Sequence, residues 1–161
     1  MRNWGSMGTL ETASYPQQKV ARAMEKSLPV SDFVKVDAEL RGCPVSKGQL
    51  VQFLAAAARG ARPRLPTNSV CFECKREGNA CVVVAGRNPC LGPVTADGCG
   101  AICPSLGRGC YGCFGPSDDV NLTSYVSWLE SRGVKREELE GLVRMINSNA
   151  KEFRWWLEGL E

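Results

Sequence analysis

The sequence contains no histidine at all. Histidine is the commonest general base, the usual partner of cysteine in thiol catalysis and a frequent zinc ligand, so sites that need it are excluded. The sequence also lacks a run of roughly 18 apolar residues, the length of a membrane-spanning helix, and its first residues lack the apolar core and cleavage site of a signal peptide. We therefore expect a cytoplasmic protein without a transmembrane segment.

A marked excess of charge of either sign is missing too. The 161 residues include 20 basic and 17 acidic side chains spread along the chain, for a net charge of +3. No basic patch stands out, so a nucleic-acid partner is not predicted. The glycine-rich fingerprint of a dinucleotide site is also missing, so any flavin or NAD(P) site would belong to another subunit.

Cysteine, in contrast, is abundant, with nine residues. Eight lie between positions 71 and 113, and the ninth is Cys43. A reducing compartment disfavours disulfides, and an odd number of thiols cannot all pair. Because histidine is lacking, thiolate ligation of a metal is the interpretation that remains.

The spacing of the eight clustered cysteines favours iron–sulfur clusters. A [4Fe–4S] cluster takes four thiolates, and one CxxC loop opens the run while another closes it. A proline follows Cys103, as it follows the last cysteine of bacterial ferredoxin motifs. We therefore predict two four-iron clusters, held by Cys71, Cys74, Cys81, Cys90, Cys99, Cys103, Cys110 and Cys113.

Glycines and valines near these cysteines are candidates for the surroundings of the clusters. Glycine lets a backbone N–H group approach cluster sulfur closely, because it has no Cβ. The candidates for such turns are Gly92, Gly98, Gly100, Gly109, Gly112 and Gly115. The candidates for an apolar wall are Val82, Val83, Val84 and Ile102.

Other interpretations of the cysteines stay open at this point. Two all-cysteine zinc sites would use the same thiolates, in a module that only scaffolds a partner complex. Zinc ribbons, however, tend to pair two CxxC loops per ion, whereas each half of this run has one. A thioredoxin-like nucleophile is disfavoured, because neither CFEC nor CYGC is predicted to follow a strand and open a helix. Taken alone, Cys43 would be a buried structural thiol.

Hydrophobic periodicity and chain breakers divide the sequence into residues 1–66, 67–116 and 117–161. The first region is predicted to be α/β: a helix that starts near Pro16, a strand from Phe33 to Val36, and a helix with a Ser46/Gln49 capping box that ends at Gly60. The second region is rich in glycine and proline, so only short elements are expected there.

The third region is predicted to be helical and to pack on the cysteine-rich region, with a partner-binding role for Trp155 and Trp156 as the alternative. Apolar residues recur at helical spacing in three segments. These residues are Leu122, Tyr125, Val126 and Leu129 before Gly133, then Leu139, Leu142, Val143 and Ile146, and finally Phe153, Trp156 and Leu157.

Three segments carry a family resemblance: VDAELRGCPVSKGQL at 36–50, VCFECKREGNACVVV at 70–84 and PCLGPVTADGCGAICPSLGRGCYGCFGP at 89–116. Together they are far more specific than a single CxxC. They resemble the small, electron-transferring subunit of nickel–iron hydrogenases, of the soluble NAD(P)-linked or sulfhydrogenase delta type. The resemblance covers most of the chain.

This resemblance implies a function, a fold and a ligand assignment. The function is an electron relay between the nickel–iron site of a large subunit and a diaphorase or another acceptor. The fold is a truncated flavodoxin-like portion, then a ferredoxin-like two-cluster region and a helical C-terminal tail. The implied ligands are Cys71, Cys74, Cys81 and Cys90 for a distal cluster, Cys99, Cys103, Cys110 and Cys113 for a medial cluster, and Cys43 for a proximal cluster. Heterodisulfide-reductase-linked and quinone-reducing complexes have small subunits with related spacings and remain alternatives.

The sequence departs from this family at its beginning. Family members start with a flavodoxin-like half that carries a CxxC and a further cysteine, and this sequence has neither. The opening MRNWGSM resembles the stretch that follows that further cysteine, so we expect Met1 to be an internal methionine of a longer chain. A third, proximal cluster is expected only if ligands missing here are supplied, because one thiolate cannot hold a four-iron cluster.

Overall fold

The structure is a computed structural model that describes residues 28–86 and 88–159. The chain divides into two compact units, Met1–Asp37 and Ala38–Glu161. The helix predicted from Pro16 lies outside the described residues. The α/β class of region 1–66 therefore stays a prediction.

In the first unit, the strand predicted from Phe33 to Val36 is wrong. Within residues 28–37, the part of this unit that the structure describes, the chain forms a 3-10 turn, Val30–Asp32, and then continues through a turn and a bend without regular structure. A strand requires a neighbour that accepts and donates backbone hydrogen bonds, and the described residues of this unit offer none. Alternating valines and a phenylalanine are therefore insufficient to form a strand here.

In the second unit, helix α1, Lys47–Ala58, confirms the helix predicted before Gly60. Ser46 occupies the N-cap position, but its side chain makes no capping hydrogen bond, so the predicted capping box does not form. The helix has no fully buried residue, and Leu50 and Leu54 are exposed. The apolar residues therefore lie at helical spacing, as predicted, but the described residues do not bury them.

The cysteine-rich region has only short elements, as its glycines and prolines predict. They are α2 (Val70–Arg76), α3 (Val82–Gly86), a 3-10 turn (Gly92–Val94) and α4 (Ile102–Ser105). Two isolated bridges, Ser69 with Ala96 and Thr95 with Pro116, bring distant segments together. Contrary to one part of the sequence prediction, CFEC does open a helix, since α2 begins at Val70. The residue before it forms only an isolated bridge, so the motif does not follow a strand.

The tail forms the three predicted helices, α5 (Leu122–Ser131), α6 (Arg136–Arg144) and α7 (Lys151–Glu158). The side chain of Asn121 caps α5 by accepting a hydrogen bond from the backbone N–H of Ser124. Gly133 turns the chain with a φ of 88°, a conformation that favours glycine. Helix α5 contacts both α6 and α7.

One hydrophobic core joins the tail to the cysteine-rich region. Leu129 and Leu139 from the tail and Val70 from α2 are completely buried and belong to the same cluster. Each such side chain contributes about 1.5–3 kcal/mol when fully buried. Ile146, predicted to continue the apolar face of α6, instead lies beyond the helix and is exposed. None of the helices in the described part of the chain has the length and apolar character needed to cross a membrane.

Candidate metal centre

The first candidate site is a cavity of about 320 Å³ lined by Cys71, Cys74, Cys81 and Cys90. The first two thiols come from α2, one turn apart, the third precedes α3, and the fourth lies in the loop before the 3-10 turn. Val82 and Val83 complete an apolar wall, as predicted, whereas Val84 is exposed and does not line the cavity. The four thiols predicted for one cluster thus surround one space.

The second candidate site is a cavity of about 600 Å³. It is lined by Ile102 and by five cysteines, Cys43, Cys99, Cys103, Cys110 and Cys113. The four thiols predicted for the other cluster therefore also meet around one space. Cys43, which the resemblance assigns to a separate proximal cluster, lines this same cavity and is an exposed thiol, not a buried one.

The position of Cys43 follows from the packing of its neighbours. Arg41 donates a hydrogen bond from Nη1 to the carbonyl oxygen of Pro116 at 2.6 Å. A Cβ on Gly42 would lie 3.0 Å from the ring of Phe114. These contacts hold the segment around Cys43 against the residues that follow Cys113, so the two cysteines face the same space.

Backbone N–H groups point at the buried thiols, as expected for a site that stabilises thiolate sulfur. The Sγ of Cys90 accepts from the N–H of Gly92 at 3.4 Å and from the N–H of Cys110 at 3.1 Å. The Sγ of Cys110 accepts from the N–H of Gly112 at 3.4 Å. Two of the six predicted glycines therefore donate to cysteine sulfur.

Gly92 approaches two thiols of the first cavity closely, so a side chain at this position would be tightly packed. A Cβ at this position would lie 3.3 Å from the Sγ of Cys90 and 3.5 Å from the Sγ of Cys71. The absence of a side chain lets the backbone approach both sulfurs. The predicted role of Gly92 as a close-approach glycine agrees with this geometry.

The two cavities adjoin each other through Cys90 and Cys110. The N–H of Cys110 donates to the Sγ of Cys90, and the carbonyl oxygen of Cys110 accepts from the N–H of Leu91 at 2.9 Å. Cys90 lines the first cavity and Cys110 the second. A single hydrogen bond therefore connects a ligand candidate of one site to a ligand candidate of the other.

Burial keeps the most enclosed thiols protonated in the absence of metal. Burial, with a smaller contribution from neighbouring cysteines, raises the pKa of Cys71 to about 11 and that of Cys110 to about 12, although the N–H of Gly112 opposes the effect at Cys110. Burial likewise raises the pKa of Cys90, although the N–H groups of Cys110 and Gly92 oppose this effect. Metal must displace these protons, so binding is expected to release them.

Sequence reasoning missed two buried carboxyl groups, Glu73 and Asp97. Glu73 lies inside the CFEC motif, and its Oε2 accepts from the N–H of Gly100 at 2.9 Å. Burial raises the pKa of Asp97, and the charge of Glu73 raises it further. A glutamate between two cysteines looks like a surface residue in the sequence, and only its contact with a loop 27 positions away shows otherwise.

An aromatic wall closes the first cavity on the side of the tail. Tyr125 and Trp128 line the cavity and stack with ring centroids 5.8 Å apart. The hydroxyl of Tyr125 donates to the carbonyl oxygen of Cys90 at 2.6 Å, and the guanidinium of Arg132 lies 4.5 Å from the centroid of Trp128. The sequence indicated that Tyr125 packs in the core, but it did not indicate that the hydroxyl of Tyr125 forms a hydrogen bond with the backbone of Cys90.

The donor set suits iron–sulfur clusters. All nine cysteines are free thiols, and the cavities offer four thiols, N–H donors to sulfur and largely apolar walls. Within residues 28–86 and 88–159, no group of three or more histidine, cysteine, aspartate or glutamate side chains is placed to hold a metal ion. The division of the ligands between clusters stays a prediction that is compatible with these two cavities.

In comparisons with known proteins, the chain is similar in sequence to hydrogenase subunits. It is 50% identical over 94 residues to the sulfhydrogenase 2 subunit delta of Pyrococcus furiosus, a match that covers 58% of this chain and 40% of that protein. It is 36% identical over 121 residues to a subunit of the F420-non-reducing hydrogenase vhu of Methanocaldococcus jannaschii, covering 64% of this chain and 42% of that protein.

A third relative carries the cofactor class in its name. The F420-non-reducing hydrogenase iron-sulfur subunit of Archaeoglobus profundus is 27% identical over 121 residues, covering 58% of this chain and 37% of that protein. No family model matches the chain. The chain spans about two-fifths of the length of these curated relatives. It is thus similar, over that part, to hydrogenase subunits, one of which is named as an iron–sulfur subunit.

Proposed function

We propose that this chain is an electron-transfer subunit of a nickel–iron hydrogenase. It would relay electrons between the nickel–iron site of a large subunit and a diaphorase or another acceptor subunit. The observation that carries the proposal is that nine cysteines line two adjoining cavities, four around the first and five around the second, and that each cavity includes one of the two predicted sets of four. The names of the relatives supply the hydrogenase context.

In this proposal each set of four thiols holds one [4Fe–4S] cluster. When bound, such a cluster supplies a one-electron redox couple whose potential depends on hydrogen bonds to sulfur, burial and nearby charge. The chain contributes the N–H groups of Gly92 and Gly112, which donate to the Sγ atoms of Cys90 and Cys110, and apolar walls that exclude water. No group of the chain is assigned a role in hydrogen cleavage, which would take place on the large subunit.

The contact between Cys90 and Cys110 supports a relay between the two sites. Electron transfer slows steeply with distance, so two redox sites in series must be close. The hydrogen bond of 3.1 Å from the N–H of Cys110 to the Sγ of Cys90 joins the linings of both cavities. This geometry favours an electron relay between two sites over two independent structural metal sites.

The thiol chemistry also supports a reducing compartment. Nine free cysteines in a chain of this size are typical of a protein that avoids oxidising conditions. We therefore include a cytoplasmic location in the proposal. A proximal cluster that includes Cys43 would need ligands from outside this sequence. The proposed partners of the protein are the hydrogenase large subunit on one side and the acceptor subunit on the other.

Anaerobic reconstitution with iron and sulfide tests the proposal. We expect about eight irons per chain, an equal amount of acid-labile sulfide, and a broad visible absorption that dithionite bleaches. A protein that takes up zinc and remains colourless would contradict the proposal and favour the zinc-stabilised scaffold.

Two single substitutions sharpen this test. Cys110→Ala removes a thiol of the second cavity and is expected to lower the iron content from about eight to about four per chain. Cys43→Ala is the matched control, because it removes a thiol that lines the same cavity but is not assigned to either cluster. The iron content of that variant is expected to be unchanged, and a loss would show that Cys43 serves the second cluster.

A further inference from the structure

Glu73 connects the two thiol-lined cavities. Its backbone belongs to α2, between Cys71 and Cys74 of the first cavity. Its carboxylate, however, reaches the loop of the second cavity, where Oε2 lies 3.9 Å from the Sγ of Cys99 and accepts from the N–H of Gly100. The residue is only 7% exposed, so this carboxylate is largely withdrawn from water.

The loop that Glu73 holds has an unfavourable backbone conformation. Gly100 has a φ of 70° and the buried Ala101 a φ of 51°, and a residue other than glycine adopts such an angle only under constraint. This turn presents Cys99 and leads directly into α4, which carries Cys103. The hydrogen bond from Gly100 to Glu73 therefore stabilises the turn that places two thiols of the second cavity.

We propose that Glu73 is a positioning residue of the second cavity, and that its carboxylate makes the cluster held by Cys99, Cys103, Cys110 and Cys113 harder to reduce. This inference rests on the proposed function. Reduction adds negative charge, and a carboxylate beside a ligand sulfur in a poorly solvated site disfavours that charge. Once Cys99 is a thiolate ligand, it has no proton to donate to Oε2, so the contact is between two negatively charged groups.

The effect is expected to be specific to one cavity. The backbone of Glu73 belongs to the helix that carries Cys71 and Cys74, but its carboxylate points away from these thiols toward the other cavity. There it lies 3.9 Å from the Sγ of Cys99 and accepts a hydrogen bond from the N–H of Gly100. The charge of Glu73 therefore acts mainly on the second cavity.

The test is the substitution Glu73→Gln in the full, reconstituted chain. Glutamine has nearly the same shape and keeps an oxygen that can accept from Gly100, but it carries no charge. The midpoint potentials of both clusters are measured by redox titration with electron paramagnetic resonance, and Cys99→Ser identifies the signal of the second cluster. We expect the second cluster to become about tenfold easier to reduce, a rise of about 59 mV for a one-electron couple, with a much smaller change in the first.

Glu77→Gln provides the matched control. It makes the same change of charge at the end of the same helix, where the side chain is 53% exposed and pairs with Arg76. Because water and salt screen such a charge, neither potential is expected to move.

Each outcome of the experiment decides the inference. If the wild-type chain binds about eight irons and Glu73→Gln leaves both potentials unchanged, or shifts both equally, the inference is wrong while the proposed function stands. A wild-type chain that binds no clusters ends both. If the Glu73→Gln variant binds only about four irons, one cluster has been lost. Loss of the second cluster with retention of the first supports the positioning role, and loss of the first with retention of the second contradicts it.

Discussion

The cysteine-rich region and the helical tail share one core but are stabilised differently. The tail buries ordinary apolar residues on three helices of eight to ten residues. The cysteine-rich region has elements of only three to seven residues, and its buried residues include two thiols and two carboxyl groups beside open cavities. The comparison teaches that the tail is stabilised by apolar burial, whereas the short elements and cavities of the region beside it are those expected of a segment whose folding is coupled to a bound group.

The largest expected effect separates the two regions directly. Removing the clusters with an anaerobic chelator and oxidant should speed amide hydrogen exchange in residues 69–117 by at least about tenfold, because metal binding and local folding are coupled there. Residues 122–158 should change much less. Hydrogen exchange measured by mass spectrometry checks this, and equal loss of protection in both regions would contradict the comparison.

A second prediction concerns the space around Gly92. Gly92→Ala places a methyl group 3.3 Å from the Sγ of Cys90 and 3.5 Å from that of Cys71, so the Cys90 thiol must shift by a few tenths of an ångström and the first cluster should be bound less completely. Iron analysis should show fewer than about eight irons per chain, with the loss confined to the first cluster. Gly48→Ala in α1 is the control, since the Oγ of Ser46 is 3.9 Å from the position of the added Cβ, and this variant should keep all the iron.

A third prediction concerns the core of the tail. Phe153 is almost completely buried, so Phe153→Ala should lower the free energy of unfolding by about 3–5 kcal/mol. The iron content at low temperature should not change, because the thiols and their loops are untouched. Trp155→Ala alters an exposed aromatic side chain of the same helix and should cost less than about 0.5 kcal/mol in denaturant unfolding. Loss of iron in the first variant would mean that the tail is needed to form the sites.

The smallest effect is expected where the two regions meet. Tyr125→Phe removes the hydrogen bond to the carbonyl oxygen of Cys90, which should cost about 1 kcal/mol without loss of iron.

The same tyrosine should make the stability of the metal-free chain depend on pH. Burial, followed by the nearby cysteines, raises the pKa of Tyr125 in the metal-free chain. As the pH rises, the hydroxyl of Tyr125 ionises in the unfolded chain before it ionises in the folded chain. The contribution of this tyrosine to stability is therefore fully present below about pH 10 and is lost as the pH rises further. The metal-free Phe variant should therefore lose less stability than the metal-free wild type in alkaline unfolding measurements.

The elements with a clear helical period were the ones that could be predicted. Helix α1 and the three tail helices occur where apolar spacing and terminal glycines indicate them. The strand at Phe33 to Val36 fails because strand formation depends on a partner that local sequence does not specify. The side-chain hydrogen bond of the Ser46 cap fails for a similar reason, since it depends on a rotamer and not on residue type alone.

By itself, the sequence determined the chemistry available to this protein, because residue type and spacing limit what a site can bind. Nine thiols without histidine predict thiolate ligation, and two CxxC loops in a glycine-rich run predict iron–sulfur clusters. Only the tertiary structure decided that Cys43 lines the second cavity, that Cys110 donates to Cys90, and that Glu73 lies beside Cys99. These contacts join segments 20 or more positions apart, so their geometry depends on how the whole region packs.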